Sequence, residues 1–380
     1  MSHTTHIMLV SGQPTPNLTP AIDPDLKPDS VILFVSPDMR ERAHWLEDIY
    51  RPRGIRVEHW PIDNAWDIEH IQLRVMELLE REQAAVAGKT IILNATGGTK
   101  PMSIAAYESF RAYELPVYYV HPESDQLIWL YPEDRPSHQL ADRIRLPDFI
   151  RAHGARVTER GQSQVPVQYQ ELAQKLIDDV AYFSNALGVL NWYANSAEKT
   201  LRSDPLESNH IGFDALQDLL DQLEQIGILT VQDDRLRFKD EPARFFANGG
   251  WLEQYIFAKV NSLKKTLPTI QDTAQSLQIV RGTGTSKNEL DVVILANNRL
   301  HLIECKAKTF KKGDANSGTE TLYKLDSLAD TIGGLQARAM LVSYKTLSDH
   351  DAQRGRDLRI KVLQGQQLQQ LDTQLRDWLG

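Results

Sequence analysis

ELDVVILANNRLHLIECKAK, residues 289–308, consists of two β-rich runs flanking the pair Asn297-Asn298. Asparagine tolerates the positive φ that a two-residue type I′ turn demands, so the stretch reads as a tight hairpin. With those two residues as the loop, Ala296 pairs with Arg299, and counting outward sets Asp291 directly opposite Glu304. Such neighbours have Cβ atoms about 4.5–5.5 Å apart, and the period of two brings Lys306 to the same face. Unpartnered carboxylates this close repel. A divalent cation between them removes the repulsion, and hard carboxylate oxygens suit Mg2+ or Mn2+. An ammonium beside such an ion, here Lys306, orients or helps deprotonate an attacking water and stabilises charge on phosphorane oxygens. The surrounding positions are apolar (Val292, Ile294, Leu302, Ile303), where charge is costly without a purpose. On spacing alone, a half-exposed hairpin with an Asp/Lys salt bridge remains the competing reading.

Working outward, the pattern predicts a helix over 249–265, strands over 276–282, 289–296 and 299–305, a helix over 319–332, a strand over 338–343, and a helix–strand–helix tail. This order, with Asp on the second strand and E-x-K on the third, resembles the PD-(D/E)xK nuclease superfamily. The resemblance implies metal-binding roles for Asp291 and Glu304 and a catalytic role for Lys306. It also implies that the main-chain carbonyl of Cys305 faces the metal and that Glu253, in GGWLEQY, supplies an additional carboxylate. Leu290 stands where the superfamily's name has proline. The Cys305 side chain, opposite in direction to Glu304, reads as a small core residue without a redox role.

At 380 residues the chain is long enough for two or three domains of about 100–150 residues each. Its 41% hydrophobic and 24% charged residues fit a soluble globular class, and no apolar run approaches the roughly 20 residues of a membrane helix. The start, MSHTTHIMLVSGQPTP, lacks the basic and apolar regions of a secretory signal, and Cys305 is the only cysteine, so a cytoplasmic location is the default expectation. A net charge of −9 argues against broad affinity for nucleic acid, so phosphate contacts require a local basic patch. Lys306, Lys308, Lys311 and Lys312 in KAKTFKKGDANSG offer one, unless they are merely a solvated loop.

Residues 1–150 alternate apolar runs (6–10, 31–35, 90–94, 116–120, 127–131) with helical patterns, which predicts a mostly parallel, Rossmann-like sheet covered by helices. Ligands of such sheets bind beyond the carboxyl ends of the strands. There NATGGTKPMS (94–103) joins a strand to a helix opened by Pro101. Gly97 and Gly98 allow close backbone approach, Thr99 and Lys100 supply a hydroxyl and a cation, and a helix N-terminus favours anions. The loop matches neither a Walker A nor a G-x-G-x-x-G pattern. A purely structural glycine turn is the alternative.

Between these parts, 151–168 is polar and aperiodic and reads as a linker. The stretch 213–240 gives a helix carrying Leu216, Leu219, Leu220 and Leu223, then two short strands about Asp233-Asp234, so 151–242 reads as a linker and a small winged-helix-like connector ahead of a 243–380 nuclease domain. Its helix is acidic (Asp214, Asp218, Asp221, Glu224), which disfavours DNA recognition and favours a connector or dimer module.

A Rossmann-like domain with N-x-T-G-G-T-K-x-M, preceded by SGQPTPNLTP after its first strand, resembles the CARF domains that bind cyclic oligoadenylates in type III CRISPR immunity. Fused to a PD-(D/E)xK core, the whole chain resembles their ligand-activated effector nucleases. The resemblance implies that Gly97, Gly98, Thr99 and Lys100 line a ring-nucleotide pocket with Gln13, Asn17 and Ser36, that cyclic tetra-adenylate is the favoured activator, and that the chain works as a homodimer. It further implies metal-dependent cleavage of single-stranded RNA or DNA, the alternatives being nicking of duplex DNA or a transcriptional regulator without nuclease activity. A ribonuclease of the R-x-x-x-x-H kind lacks its residues, because no histidine has an arginine five positions before it.

Overall fold

The computed structural model describes residues 3–85, 89–282, 284, 287–308 and 318–380. Lys311 and Lys312 of the expected basic loop lie outside the described residues.

The first part runs β1 (Thr4–Leu9), α1 (Thr15–Ile22), β2 (Ser30–Val35), α2 (Arg40–Tyr50), β3 (Arg56–Pro61), α3 (Ile68–Ala85), β4 (Thr90–Asn94), α4 (Lys100–Ala112), β5 (Val117–His121), β6 (Gln126–Tyr131) and β7 (His138–Gln139). These strands form a seven-stranded sheet in the order β3-β2-β1-β4-β5-β6-β7. The strands from β3 to β5 are parallel, while β6 and β7 are antiparallel. The central strands are apolar because helices cover both faces. Apolar reading passes over β3, RVEHWP, since an edge strand carries polar residues such as Arg56, Glu58 and His59 at no cost.

Next come α5 (Leu146–Ala152) and β8 (Ala155–Glu159). Here the structure corrects the expected linker: β8 lies within 151–168, yet pairs antiparallel with a strand of the last domain, Val157 facing Ile279. ARVTE is again a polar edge strand, without the apolar alternation that would betray it. The connector follows with α6 (Val167–Asp178), α7 (Val180–Ser196), β9 (Arg202–Pro205), α8 (Ser208–Ile211), α9 (Asp214–Gln225), β10 (Leu229–Gln232), β11 (Arg235–Phe238) and α10 (Glu241–Phe245). The β10–β11 hairpin turns at Asp233 and Asp234, φ 51° and 54°, and α9 buries Leu216, Leu219, Leu220 and Leu223 while its four acidic residues face solvent.

The last part contains α11 (Trp251–Leu263), β12 (Ile270–Arg281), β13 (Lys287–Ala296), β14 (Arg299–Lys306), α12 (Gly318–Gly333), β15 (Arg338–Ser343), α13 (Asp349–Asp357), β16 (Lys361–Gln364) and α14 (Leu371–Leu379). Its sheet has the order β16-β15-β14-β13-β12-β8. One apolar core runs through both sheets' helical cover: Met8, Leu33 and Leu46 belong to the same buried cluster as Leu277, Leu295, Leu302 and Leu341. Displacing the first domain against the last therefore exposes apolar area. The two sheets are mechanically coupled by their shared core as well as by chain connectivity. Among the described residues, no helix is long and apolar enough to cross a membrane.

Candidate functional site

The β13–β14 hairpin turns on Asn297 and Asn298 with φ 49° and 53°, as a type I′ turn requires, and Ala296 pairs with Arg299. The ladder runs outward to Val292↔Ile303. One step further the Asp291 carboxylate accepts a hydrogen bond from the Cys305 N–H at 2.7 Å. The β12–β13 ladder is interrupted at the same level. Ser276 drops out between the pairs Gln275↔Val292 and Leu277↔Leu290 and takes φ 42°, a left-handed conformation costly for a serine. Its N–H and hydroxyl both donate to Glu253 Oε1, at 2.9 and 2.5 Å. Helix α11 thus brings Glu253, only 5% exposed, across to the strand break from below.

The result is a cluster whose charges are poorly tolerated as they stand. Burial first, and then Asp291, pushes the Glu253 carboxyl well above its usual range, although the Ser276 bonds oppose this. Burial and then Glu304 push up Asp291 in the same way, against the Cys305 bond and Lys306. Lys306 Nζ sits 2.7 Å from Glu304 Oε1. Burial works against its ammonium, but Glu304 and Asp291 outweigh burial and hold it protonated. Glu289 adds further negative charge felt by both Glu253 and Asp291.

Carboxylates crowded beside one another in partly buried positions, all of them oxygen donors, suit a hard divalent cation. Among the described residues, the groups of three possible ligand atoms mutually within 4.8 Å are His44/Glu47/His59 and Asp23/Asp25/His138, so Glu253, Asp291 and Glu304 face one region without converging on a point. Cys305 lends its N–H to Asp291, and its thiol, with burial the main cause, is held far above the thiolate range. Sequence reasoning reached Glu253, Asp291, Glu304 and Lys306, which the structure brings together. It missed Ser276, whose role comes entirely from a tertiary contact with Glu253 at a skipped ladder position, and Glu289, two residues before Asp291 on the same face.

The glycine loop lies at the carboxyl end of β4. A Cβ on Gly97 would stand 2.0 Å from the Leu9 carbonyl oxygen, and Gly98 has φ 74°, so both positions need glycine. Thr99 caps α4, accepting from Met102 N at 3.2 Å, and Lys100 is exposed. The other three expected pocket residues are placed differently. Asn17 is 1% exposed, donating to Leu9 O at 2.8 Å and accepting from Asn94 at 3.0 Å, so its amide shapes the loop from inside. Ser36, also buried, donates to Asp38 at 2.6 Å. Gln13 turns toward the last domain, its Oε1 accepting from Leu335 N at 3.4 Å just beyond α12.

A second contact joins the two ends of the molecule. Asn298, at the tip of the β13–β14 hairpin, donates to Asp125 and Asp142 at 3.1 Å each, and exchanges bonds with Gln271 at 2.6 and 2.7 Å. Burial, and then the nearby Asp142, pushes Asp125 up to about 6 despite the Asn298 bond. A carboxyl raised on folding costs stability as pH climbs from its unfolded value, near 4, through about 6. Asp125→Asn keeps an acceptor for Asn298 and removes that cost. Thermal unfolding should therefore show the variant more stable than the parent at pH 7.5, by about 1–2 kcal/mol, with the gain shrinking toward pH 4. An equal or lower melting temperature at pH 7.5 would show that the repulsion is already relieved.

Two family models match the chain: the Card1 CARF domain over residues 5–149 and the Card1-like endonuclease domain over residues 240–380. No curated protein matches it. Among solved structures, protein VC1899 from Vibrio cholerae is 34% identical, with 99% of this chain and 98% of that chain covered and a TM-score of 0.91. Can2 from Sulfobacillus thermosulfidooxidans, solved in complex with cyclic tetra-adenylate, is 27% identical over 100% of both chains, with a TM-score of 0.82. A type III CRISPR defence DNA nuclease activated by cyclic oligoadenylate shares the fold at 18% identity, with 90% of this chain and 45% of that chain covered and a TM-score of 0.59.

Proposed function

This chain belongs to the Card1-like family, which joins a CARF domain to an endonuclease domain, and on that premise we propose a divalent-metal-dependent nuclease switched on by a cyclic oligoadenylate in type III CRISPR defence. Cyclic tetra-adenylate is the favoured activator, since Can2 is the relative solved with it. The substrate is single-stranded RNA or DNA. The observation that carries the reading is the grouping of Glu253, Asp291 and Glu304 with Lys306 where the β13–β14 ladder ends and the β12–β13 ladder skips a position.

Mg2+ or Mn2+ held by Asp291, Glu304 and Glu253, with the Cys305 carbonyl as a further oxygen donor, would supply Lewis acidity and an activated water. Ser276 and the Cys305 N–H fix the directions of Glu253 and Asp291. Lys306, kept protonated, offers positive charge to the phosphate under attack. Lys308, exposed two residues on, extends the cationic track toward the strand's backbone.

On the sensor side, the Gly97–Lys100 backbone and the α4 N-terminus would hold the ring phosphates. A cavity of about 770 Å³ beside α4 is lined by Ser103, Ile104, Tyr107, Arg111 and Tyr119, and Ile104 is 51% exposed. A second copy packed there would bring two glycine loops to one symmetric ring, which supports a homodimer. Gln13 at Leu335 and Asn298 at Asp125 are then the routes by which a change in the sensor reaches α12 and the hairpin. The test is a cleavage assay with Mn2+ or Mg2+ on single-stranded RNA and DNA, with and without cyclic tetra-adenylate. Cutting is expected only when the ring nucleotide is present. Equal cutting without it would remove the sensor assignment, and cutting in chelator would remove the metal.

A further inference from the structure

His44, Glu47 and His59 lie apart from both the glycine loop and the carboxylate cluster. His44 and Glu47 are one turn apart on α2, and His59 reaches them from edge strand β3. His44 Nδ1 stands 3.2 Å and His59 Nε2 3.1 Å from the same oxygen, Glu47 Oε2. All three ligand atoms fall within 4.8 Å of one another. Zinc bonds of about 2.0–2.2 Å to nitrogen and oxygen make the edge of a coordination tetrahedron about 3.3 Å. Two edges of that length are already present in the protein.

An ion-pair explanation of the same contacts falls short. Glu47 uses its other oxygen, Oε1, for Arg51, so it already has a permanent cationic partner. His59 Nε2 is shut off from solvent and makes no hydrogen bond, because its approach to Glu47 lacks the direction an N–H needs. An orphaned buried ring nitrogen aimed at a carboxylate oxygen, with a second imidazole alongside at 4.9 Å between ring centroids, has the make-up of a ligand set.

We propose that His44, Glu47 and His59 bind a zinc ion, with the fourth position open to solvent beside the exposed His44 ring. Two imidazoles and one carboxylate are donors that zinc accepts readily and that Mg2+ does not favour, so this site and the carboxylate cluster take different metals. The ion ties the middle of α2 to β3. Helix α2 also carries Arg42 against Gly12 of the first loop, Trp45 against Gly154 at the junction, and Asp48 paired with Arg151 of α5. Zinc therefore braces the helix that spans the sensor loop and the domain junction. This inference does not depend on the nuclease reading, since it needs neither substrate nor ring nucleotide.

The full chain carrying Asp291→Asn, which weakens the other metal site, is titrated with Zn2+ by calorimetry and with Co2+ by visible absorption. Against that parent, His59→Gln and His44→Gln should each lower the zinc stoichiometry by one, or weaken the site by more than about a hundredfold. Both should also abolish the tetrahedral Co2+ bands. His44 lies on the surface, so its variant leaves folding unaffected, and Zn2+ should raise the melting temperature of the parent but not of His44→Gln. Unchanged stoichiometry and spectra in the His44→Gln, His59→Gln double variant would overturn the site.

Discussion

Asp291→Asn is expected to silence cutting while leaving the chain more stable in metal-free buffer. The loss should be on the order of a thousandfold or more, since a neutral amide neither anchors a divalent cation nor balances Lys306. The gain follows from the sign of the pKa shift. Burial and Glu304 raise the Asp291 carboxyl on folding, so its ionised form costs stability as pH rises above the unfolded value. Asparagine presents the same oxygen to the Cys305 N–H but carries no charge. Unfolding in chelator at pH 8 should therefore show a gain of about 1–3 kcal/mol, which vanishes near pH 4, where both proteins are neutral at this position. Added Mn2+ should reverse the order, stabilising the parent and not the variant. Binding of the ring nucleotide should be unchanged. Undiminished cutting would remove Asp291 from the site. A lower melting temperature in chelator would instead make Asp291 a structural anchor for β14.

How far the sequence foretold this site depends on where its constraints are local. The hairpin register was legible because two adjacent asparagines fix it: once Asn297 and Asn298 occupy the turn, period-two alternation places every side chain out to Val292 and Ile303. The glycine loop was legible for a similar reason, as Pro101 and Thr99 mark the helix start and Gly97-Gly98 the close approach. What failed was whatever depends on a distant partner. Ser276 becomes important only because Glu253, from another element, captures its N–H and hydroxyl. ARVTE is a strand only because β12 offers it an edge, and RVEHWP lies at the opposite rim of the first sheet. Asn17 suggested a pocket residue by its loop position. Its amide instead holds α1 to β1 and β4, because a buried polar group must be satisfied and the nearest partners lie inward.

Gly97→Ala should abolish the response to ring nucleotide through the backbone, without touching any side chain that contacts phosphate. The added Cβ would fall 2.0 Å from the Leu9 carbonyl oxygen, a main-chain atom of central strand β1, with Ser11 Oγ at 3.4 Å. No rotamer change relieves a clash between Cβ and backbone. Either β1 or the loop must move, and β1 is held by parallel pairing to β2 and β4. The loop will therefore move, carrying Gly98, Thr99 and the first turn of α4 with it. A cost of about 2–4 kcal/mol is expected, with ring-nucleotide binding lost by calorimetry and cutting no longer stimulated. Gly54→Ala is the matched control, because Gly54 has φ 76° but nothing within 4 Å of its Cβ. It should cost only about 1 kcal/mol from the left-handed backbone and leave ligand binding intact. If Gly97→Ala still binds the ring nucleotide as the parent does, the phosphates are not held by this loop. If it binds normally yet cutting is no longer stimulated, the loop transmits the signal without being the receptor. That second outcome would move attention to Gln13, which links the loop after β1 to Leu335 just beyond α12.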